Sequence, residues 1–151
     1  MNKYIFREYD IRGRVDTDFN REVVTNLGKA FGTYVIRSGG KKVSISGDIR
    51  PSSPVLVKNF SNGLIESGIT VIDMGTLHTP ANYFSMFLLD VDASVQVTGS
   101  HNPSEYNGFK LSLSQEAFYG EKILELKNII LNKEYEYGLG KIESYDILPE
   151  Y

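Results

Sequence analysis

Lys42-Val43-Ser44-Ile45-Ser46-Gly47-Asp48-Ile49-Arg50-Pro51-Ser52-Ser53-Pro54 decides the fold. Lys42 to Gly47 is a short β-branched run, as a strand buried in a sheet should be. It breaks into a polar loop where Ser53 can cap a helix and Pro54 can occupy its first turn. That helix is expected to run to about Ser67 and close at Gly68. Upstream, Val23, Val24, Leu27, Ala30, Phe31, Tyr34 and Val35 recur at the spacing of one helix face, predicting a helix over Asn20 to Arg37 that Gly39-Gly40 stops. Downstream, Ile69 to Met74 reads as a strand, Gly75 to Pro80 as its loop and Ala81 to Leu89 as a short helix. Asp92 to Thr98 and Phe109 to Leu113 read as further strands, and Ile123, Leu124, Leu126 and Ile130 as the apolar face of a last helix. Residues 1 to 18 lack helical period and read as an extended leading segment and turn, and the polar, Tyr-rich end as a tail closing on Ile147-Leu148-Pro149. Strands alternating with helices of this length imply right-handed βαβ crossovers, hence an α/β fold with a largely parallel sheet and helices on both faces. Ser94, Gln96 and Thr98 make the Asp92 to Thr98 strand less apolar than burial on both faces demands.

Composition narrows the function classes. With 151 residues, 41% of them hydrophobic and 23% charged, the chain suits one globular domain over residues 1 to 151. Sixteen Lys and Arg against 19 acidic residues give a net charge of −3, without the basic block a nucleic-acid partner requires. The absence of cysteine excludes disulfides and thiolate metal sites and fits a cytoplasmic protein. No apolar run is long enough to span a bilayer, and the first residues lack the apolar stretch of a signal peptide, so no membrane association is expected.

The densest set of reactive side chains is Thr98-Gly99-Ser100-His101-Asn102-Pro103, followed by Tyr106-Asn107-Gly108-Phe109-Lys110. It lies where a strand ends, the place where open α/β sheets collect ligands. A glycine permits a sharp turn and close approach, a serine hydroxyl is presented beyond it, and His101 and Asn102 can donate to phosphate oxygens. The plainer reading is a turn in which Asn102-Pro103 and Asn107-Gly108 are ordinary turn formers, and pattern alone divides evenly between the two. Ser100 beside His101 does not make a hydrolase triad, and no G-x-S-x-G elbow occurs.

The stretch T-G-S-H-N-P followed by Y-N-G-F-K resembles the active-site serine loop of the α-D-phosphohexomutase superfamily, in its phosphomannomutase/phosphoglucomutase branch. Phe6-Arg7-Glu8-Tyr9-Asp10-Ile11-Arg12-Gly13 resembles the family's N-terminal F-R-x-Y-D-I-R-G, and Asp48-Ile49-Arg50-Pro51-Ser52-Ser53-Pro54 its D-x-R-x-S-S-P loop. The similarity keeps the family's order along essentially the whole chain, down to Asp146-Ile147-Leu148-Pro149-Glu150-Tyr151. It implies the three-layer α/β/α sandwich of the family's first domain, with a mostly parallel, mixed sheet, as the N-terminal domain of a longer enzyme. It further implies interconversion of hexose 1-phosphate and hexose 6-phosphate through a bisphosphorylated sugar, with a hexose bisphosphate as activator. On this resemblance Ser100 carries the phosphoryl group, His101 positions phosphate, Lys110 transfers a proton or stabilises charge, and Arg12 acts similarly. Tyr9 and Asn102 would bind substrate in the same cleft. Mg²⁺ would touch this chain only through the phosphate on Ser100, its carboxylate ligands lying on a further domain. The family often has Gly-Arg before the Asp of the D-x-R loop where this chain has Ser46-Gly47, so any contact of that arginine is missing.

Each assignment has a plainer counterpart. Arg12 could pair with Asp10 or Glu8 in solvent, Lys110 could be a solvated charge, and His78 reads as structural or phosphate-adjacent. Asp48 and Arg50 are expected to form a local salt bridge that shapes their loop rather than to act on substrate. A different class, a stand-alone module that binds a sugar phosphate or docks a protein without catalysis, is also compatible with the sequence.

Overall fold

The computed structural model describes residues 1–149, which leaves Glu150 and Tyr151 of the C-terminal stretch outside the described residues. After a 3₁₀ turn at Lys3–Ile5 come β1 (Ile11–Arg14), α1 (Val15–Asp18), α2 (Arg21–Arg37), β2 (Lys42–Gly47) and α3 (Ser53–Glu66). They are followed by β3 (Thr70–Thr76), α4 (Thr79–Leu88), β4 (Ala93–Val97), β5 (Tyr106–Leu113), β6 (Glu116–Ala117), α5 (Glu121–Asn132) and β7 (Lys141–Ser144). The strands form one mixed sheet in the order β1-β5-β4-β2-β3-β7, with β6 paired to β5. β4, β2, β3 and β7 are parallel, whereas β5 runs antiparallel to both β4 and β1. Among the described residues no helix is long and apolar enough to cross a membrane.

α2, α3 and α5 cover one face. Asn20 caps α2 by accepting the Val23 N–H at 2.9 Å, and the predicted stripe buries Val24, Leu27, Ala30, Phe31 and Val35 completely. α2 and α3 cross backbone to backbone: a Cβ on Gly63 would overlap the Thr25 carbonyl, and one on Gly28 the Phe60 carbonyl. Phe60 then stacks on Phe109 of β5 with ring centroids 5.0 Å apart, and Phe31 meets Phe118 edge-on at 5.3 Å. This aromatic chain joins the helix layer to the antiparallel half of the sheet.

α4 covers the other face, which completes three layers. The polar alternation of β4 has a specific outcome here: Ser94 and Gln96 are buried, together with Ser44 and Ser46 of β2, beneath Asn82 and Ser85 of α4. Asn82 Nδ2 donates to Ser46 Oγ and to the Val95 carbonyl, both at 2.8 Å, and Gln96 Nε2 donates to the Leu77 carbonyl at 2.8 Å. Ser44 and Ser85 hydroxyls share a bond of 2.7 Å, and the Ser46 hydroxyl donates to Gln96 Oε1. Mutual hydrogen bonding lets Ser44, Ser46, Ser85 and Gln96 leave water without a large desolvation cost, whereas the Ser94 hydroxyl and Asn82 Oδ1 are buried without a partner. Beside them, Ile147 is buried against Met74, Leu77 and Ala81, fastening the C-terminal segment to this face.

The segments read as extended leader and tail contain two strands. β1 and β7 are the ends of the sheet, four residues each, and they carry Arg12, Arg14, Lys141 and Glu143. A strand pairing on one side only needs no apolar run, which is why the sequence pattern does not announce either.

Candidate active site

The serine loop leaves the carboxyl end of β4 and returns at once into its antiparallel neighbour β5. The Thr98 N–H bonds the Gly108 carbonyl at 3.0 Å, closing the ladder beneath the loop. Above it the Ser100 N–H donates to Thr98 Oγ1 at 3.1 Å, the Asn102 N–H to the Gly99 carbonyl at 3.0 Å, and the Tyr106 N–H to the Pro103 carbonyl at 3.0 Å. Ser100 sits at φ +53°, in the left-handed region, and both Ser100 and His101 are exposed. A left-handed conformation costs a residue with a Cβ about 1–2 kcal/mol, so it persists only where surrounding contacts impose it.

Those contacts come from the loop after β2. The Arg50 guanidinium donates through Nη1 to the Pro103 and Tyr106 carbonyls, at 2.7 and 3.0 Å, and through Nη2 to the Ser100 and Asn102 carbonyls, at 3.1 and 2.5 Å. Its Nε faces Asp48 Oδ2 at 3.5 Å, which is the pairing expected from the sequence. Gly99 lies flat against the guanidinium, where any Cβ would collide with it. Asp48 in turn accepts the Gly99 N–H on Oδ2 at 3.0 Å, and the Arg50 N–H and the Ser53 hydroxyl on Oδ1 at 3.1 and 2.5 Å. Burial alone would push this carboxyl up. The Ser53 hydroxyl, the Gly99 and Arg50 N–H groups and the Thr98 hydroxyl outweigh it and hold Asp48 below its ordinary value, so it is ionised at neutral pH.

Asn107 completes the latch. Its side chain is fully buried, Nδ2 donating to Ser52 Oγ at 2.9 Å and Ser53 Oγ at 3.0 Å while Oδ1 accepts the Gly108 N–H. Of the two readings the sequence leaves open here, the structure rules out the one that makes Asn107-Gly108 a turn, since both lie within β5. The alternation of Asn107 with Phe109, Leu111 and Leu113 was the signal that it belongs to the inner face of a strand.

Arg12 and Lys110 lie on adjacent strands. Arg12 pairs in register with Gly108, and Lys110 stands two residues further along β5, opposite Gln96. Paired and alternate residues share a face, so both belong to the face that carries α4. The Arg12 guanidinium is held by Asp10 at 2.8 Å, with the Asp10 side chain only 11% exposed. The pair is the one anticipated as the plain alternative, but its carboxylate is largely out of solvent. Tyr9 is exposed, its ring 6.0 Å from that of Tyr119 in the segment before α5. Asn102 enters the loop network through its backbone. His78 stands at the N-cap position of α4, where its side chain makes no capping hydrogen bond, and lines a pocket together with Asp48 and Ile49. Among the described residues no group of three or more His, Cys, Asp or Glu side chains could hold a metal ion.

Residues 3–136 match the family model described as phosphoglucomutase/phosphomannomutase, alpha/beta/alpha domain I. The chain is 39% identical over 97% of its length to a phosphomannomutase/phosphoglucomutase of Pseudomonas aeruginosa, and 37% identical over the same share to one of Pseudomonas putida. It spans 32% of the length of each of these curated relatives. The solved structure of a phosphoglucomutase/phosphomannomutase family protein from Burkholderia thailandensis superposes with a TM-score of 0.96 at 38% identity, covering 100% of this chain and 35% of that one.

Proposed function

The chain belongs to the phosphoglucomutase/phosphomannomutase family, as its α/β/α domain I, and on that premise we propose that it is the serine-bearing N-terminal domain of a longer hexose phosphate mutase. Ser100 carries a phosphoryl group. In the forward step the bond between Ser100 Oγ and phosphorus breaks, a bond from phosphorus to a sugar hydroxyl oxygen forms, the proton of that hydroxyl passes to a basic group of the site, and Ser100 Oγ takes up a proton to become the free hydroxyl. The resulting sugar bisphosphate reorients and returns its other phosphoryl group to Ser100, so that hexose 1-phosphate and hexose 6-phosphate interconvert and the enzyme ends as it began. A hexose bisphosphate from solution serves as activator by phosphorylating the free serine.

The observation that carries this reading is the exposed Ser100 itself, held at φ +53° at the carboxyl end of a parallel strand by a loop whose backbone is hydrogen-bonded on every side. Phosphoryl transfer asks a protein for positioning and charge more than for covalent machinery. Lys110 and Arg12 are assigned as the cations that stabilise the transferring group, Lys110 also as the proton-transfer group. His101 is assigned to positioning phosphate, Tyr9 and Asn102 to the sugar phosphate. Mg²⁺, when bound, would neutralise charge on the phosphate. The described side chains offer it no ligand cluster, so it fits this chain only through a phosphate oxygen on Ser100, its remaining ligands coming from the rest of the enzyme.

Intact-mass analysis of the full-length protein, before and after incubation with glucose 1,6-bisphosphate, checks the assignment. One added phosphate is expected, mapping to Ser100 and lost in Ser100→Ala together with mutase turnover. A phosphate on another residue, or full turnover by Ser100→Ala, would refute it.

A further inference from the structure

We infer that Arg50 is the positioning residue of this site: it sets the presentation of Ser100 and takes no part in binding phosphate. The inference rests on the functional reading above. An arginine at a strand end within one loop of a phosphorylated serine would ordinarily be read as a phosphate ligand, since guanidinium matches phosphate geometry. Here its donors are already spent. Arginine has five N–H groups. The four on Nη1 and Nη2 are matched by four carbonyls, of Ser100, Asn102, Pro103 and Tyr106, and the fifth, on Nε, faces Asp48. Nothing is left over to meet a phosphate without giving up part of the loop.

The four carbonyls explain why the left-handed serine is stable. A carbonyl buried by a turn must find a donor, and a loop folded around a left-handed residue aims its carbonyls inward, where no backbone N–H can serve them all. One planar fork serves four. Asp48 fixes the plane of that fork at Nε and takes the Gly99 N–H with the same oxygen, so both sides of residue 99 are held by one ion pair. The Ser100 hydroxyl carries none of this load and stays free to accept and release a phosphoryl group. Lysine cannot replace arginine in this role, because an ammonium offers three donors from one point and cannot span carbonyls set around a plane.

The test is steady-state kinetics of the full-length enzyme with hexose phosphate and bisphosphate activator, comparing wild type, Arg50→Lys and Arg50→Ala. A misplaced nucleophile loses rate, not substrate affinity. The expected result is a fall in kcat of about a hundredfold in both variants with KM within about threefold. Non-denaturing guanidinium should restore part of kcat in Arg50→Ala, whose cavity it fits, and none in Arg50→Lys. A merely structural role predicts no such rescue. Amide exchange over residues 98–106 gives a second readout, with faster exchange expected in Arg50→Lys even if Arg50→Ala fails to fold. A kcat within about threefold of wild type in the folded variants, a loss confined to KM, or undiminished protection of the loop would overturn the inference. A wild-type protein with neither phosphoserine nor turnover would instead sink the functional reading, whereas an active wild type beside an undiminished variant would sink this inference alone.

Discussion

Asp48 must be ionised for the serine loop to keep its shape, because both of its oxygens accept from N–H or O–H groups that have no other partner of that quality. Its folded-state pKa lies below the ordinary carboxylate value of 3.8, so the stability it contributes is fully present above that value and is lost as pH falls through the lower, folded-state one. Asp48→Asn turns an NH₂ group toward donors that need an acceptor. The variant is expected to lose about 1–3 kcal/mol at pH 7, and the gap between variant and wild type should close as urea unfolding is repeated toward pH 2. An unchanged gap across that range would place the loop's stability elsewhere. At this scale the sequence was legible where chemistry repeats a known pattern: Ser100 stands in its motif, and the Asp48–Arg50 pair could be anticipated. What could not be read was where Arg50's donors end, since its partners are backbone carbonyls some fifty positions away and carry no residue identity. Asn107 was hidden for the opposite reason, its identity being that of a common turn former.

Elements with one apolar face were read with little error. α2 follows from its stripe and its Asn20 cap, and α3 from Pro54 in its first turn and Gly68 at its end, each within a residue or so. Ser53, however, does not cap α3: it is the first helical residue and its hydroxyl donates to Asp48. Their crossing was not readable, because glycine inside a helix looks like a weak helix former until a neighbouring backbone is seen against it. Gly63→Ala should therefore destabilise the protein although alanine favours helix, by about 1–3 kcal/mol in urea unfolding, as overpacking does. Asn62→Ala, one position away on the exposed side, should move stability by less than about 0.5 kcal/mol. Equal effects of the two would mean that the helices can separate at no cost. The edge strands escaped notice because a four-residue segment with charged side chains satisfies none of the apolar patterns by which strands are recognised. β4 reads as a strand whose serine and glutamine look out of place; Gln96 is accounted for by Ser46 of β2 and the Leu77 carbonyl, and the buried Ser94 hydroxyl has no partner.

For the whole molecule, the alternation of strands and helices was enough to give the α/β class and the three layers, while the resemblance supplied the mixed sheet. Alternation says nothing of strand order, and the reversed strand β5 beside β4 follows from a direct return that leaves no helix between them. That return is what makes the serine loop a tight connection rather than the start of a crossover. The domain spans about a third of its relatives and supplies one wall of the proposed site, so the 151-residue chain on its own should not turn over hexose phosphates. Orientation of both reactants contributes roughly 7–11 kcal/mol to such catalysis, and one wall cannot provide it. A coupled mutase assay with Mg²⁺ and bisphosphate activator checks this, and turnover within tenfold of the full-length enzyme would show that residues assigned here to scaffold are catalytic. The two ends of the sheet bear on handling such a domain by itself. β1 and β7 are only four residues long and carry Arg12, Arg14, Lys141 and Glu143, so a second molecule adding its own edge there would gain few backbone hydrogen bonds and would have to desolvate charged side chains. Aggregation through the sheet edges, the usual hazard of an open α/β layer, is thereby disfavoured by the two segments whose polar character makes them look like no strand at all.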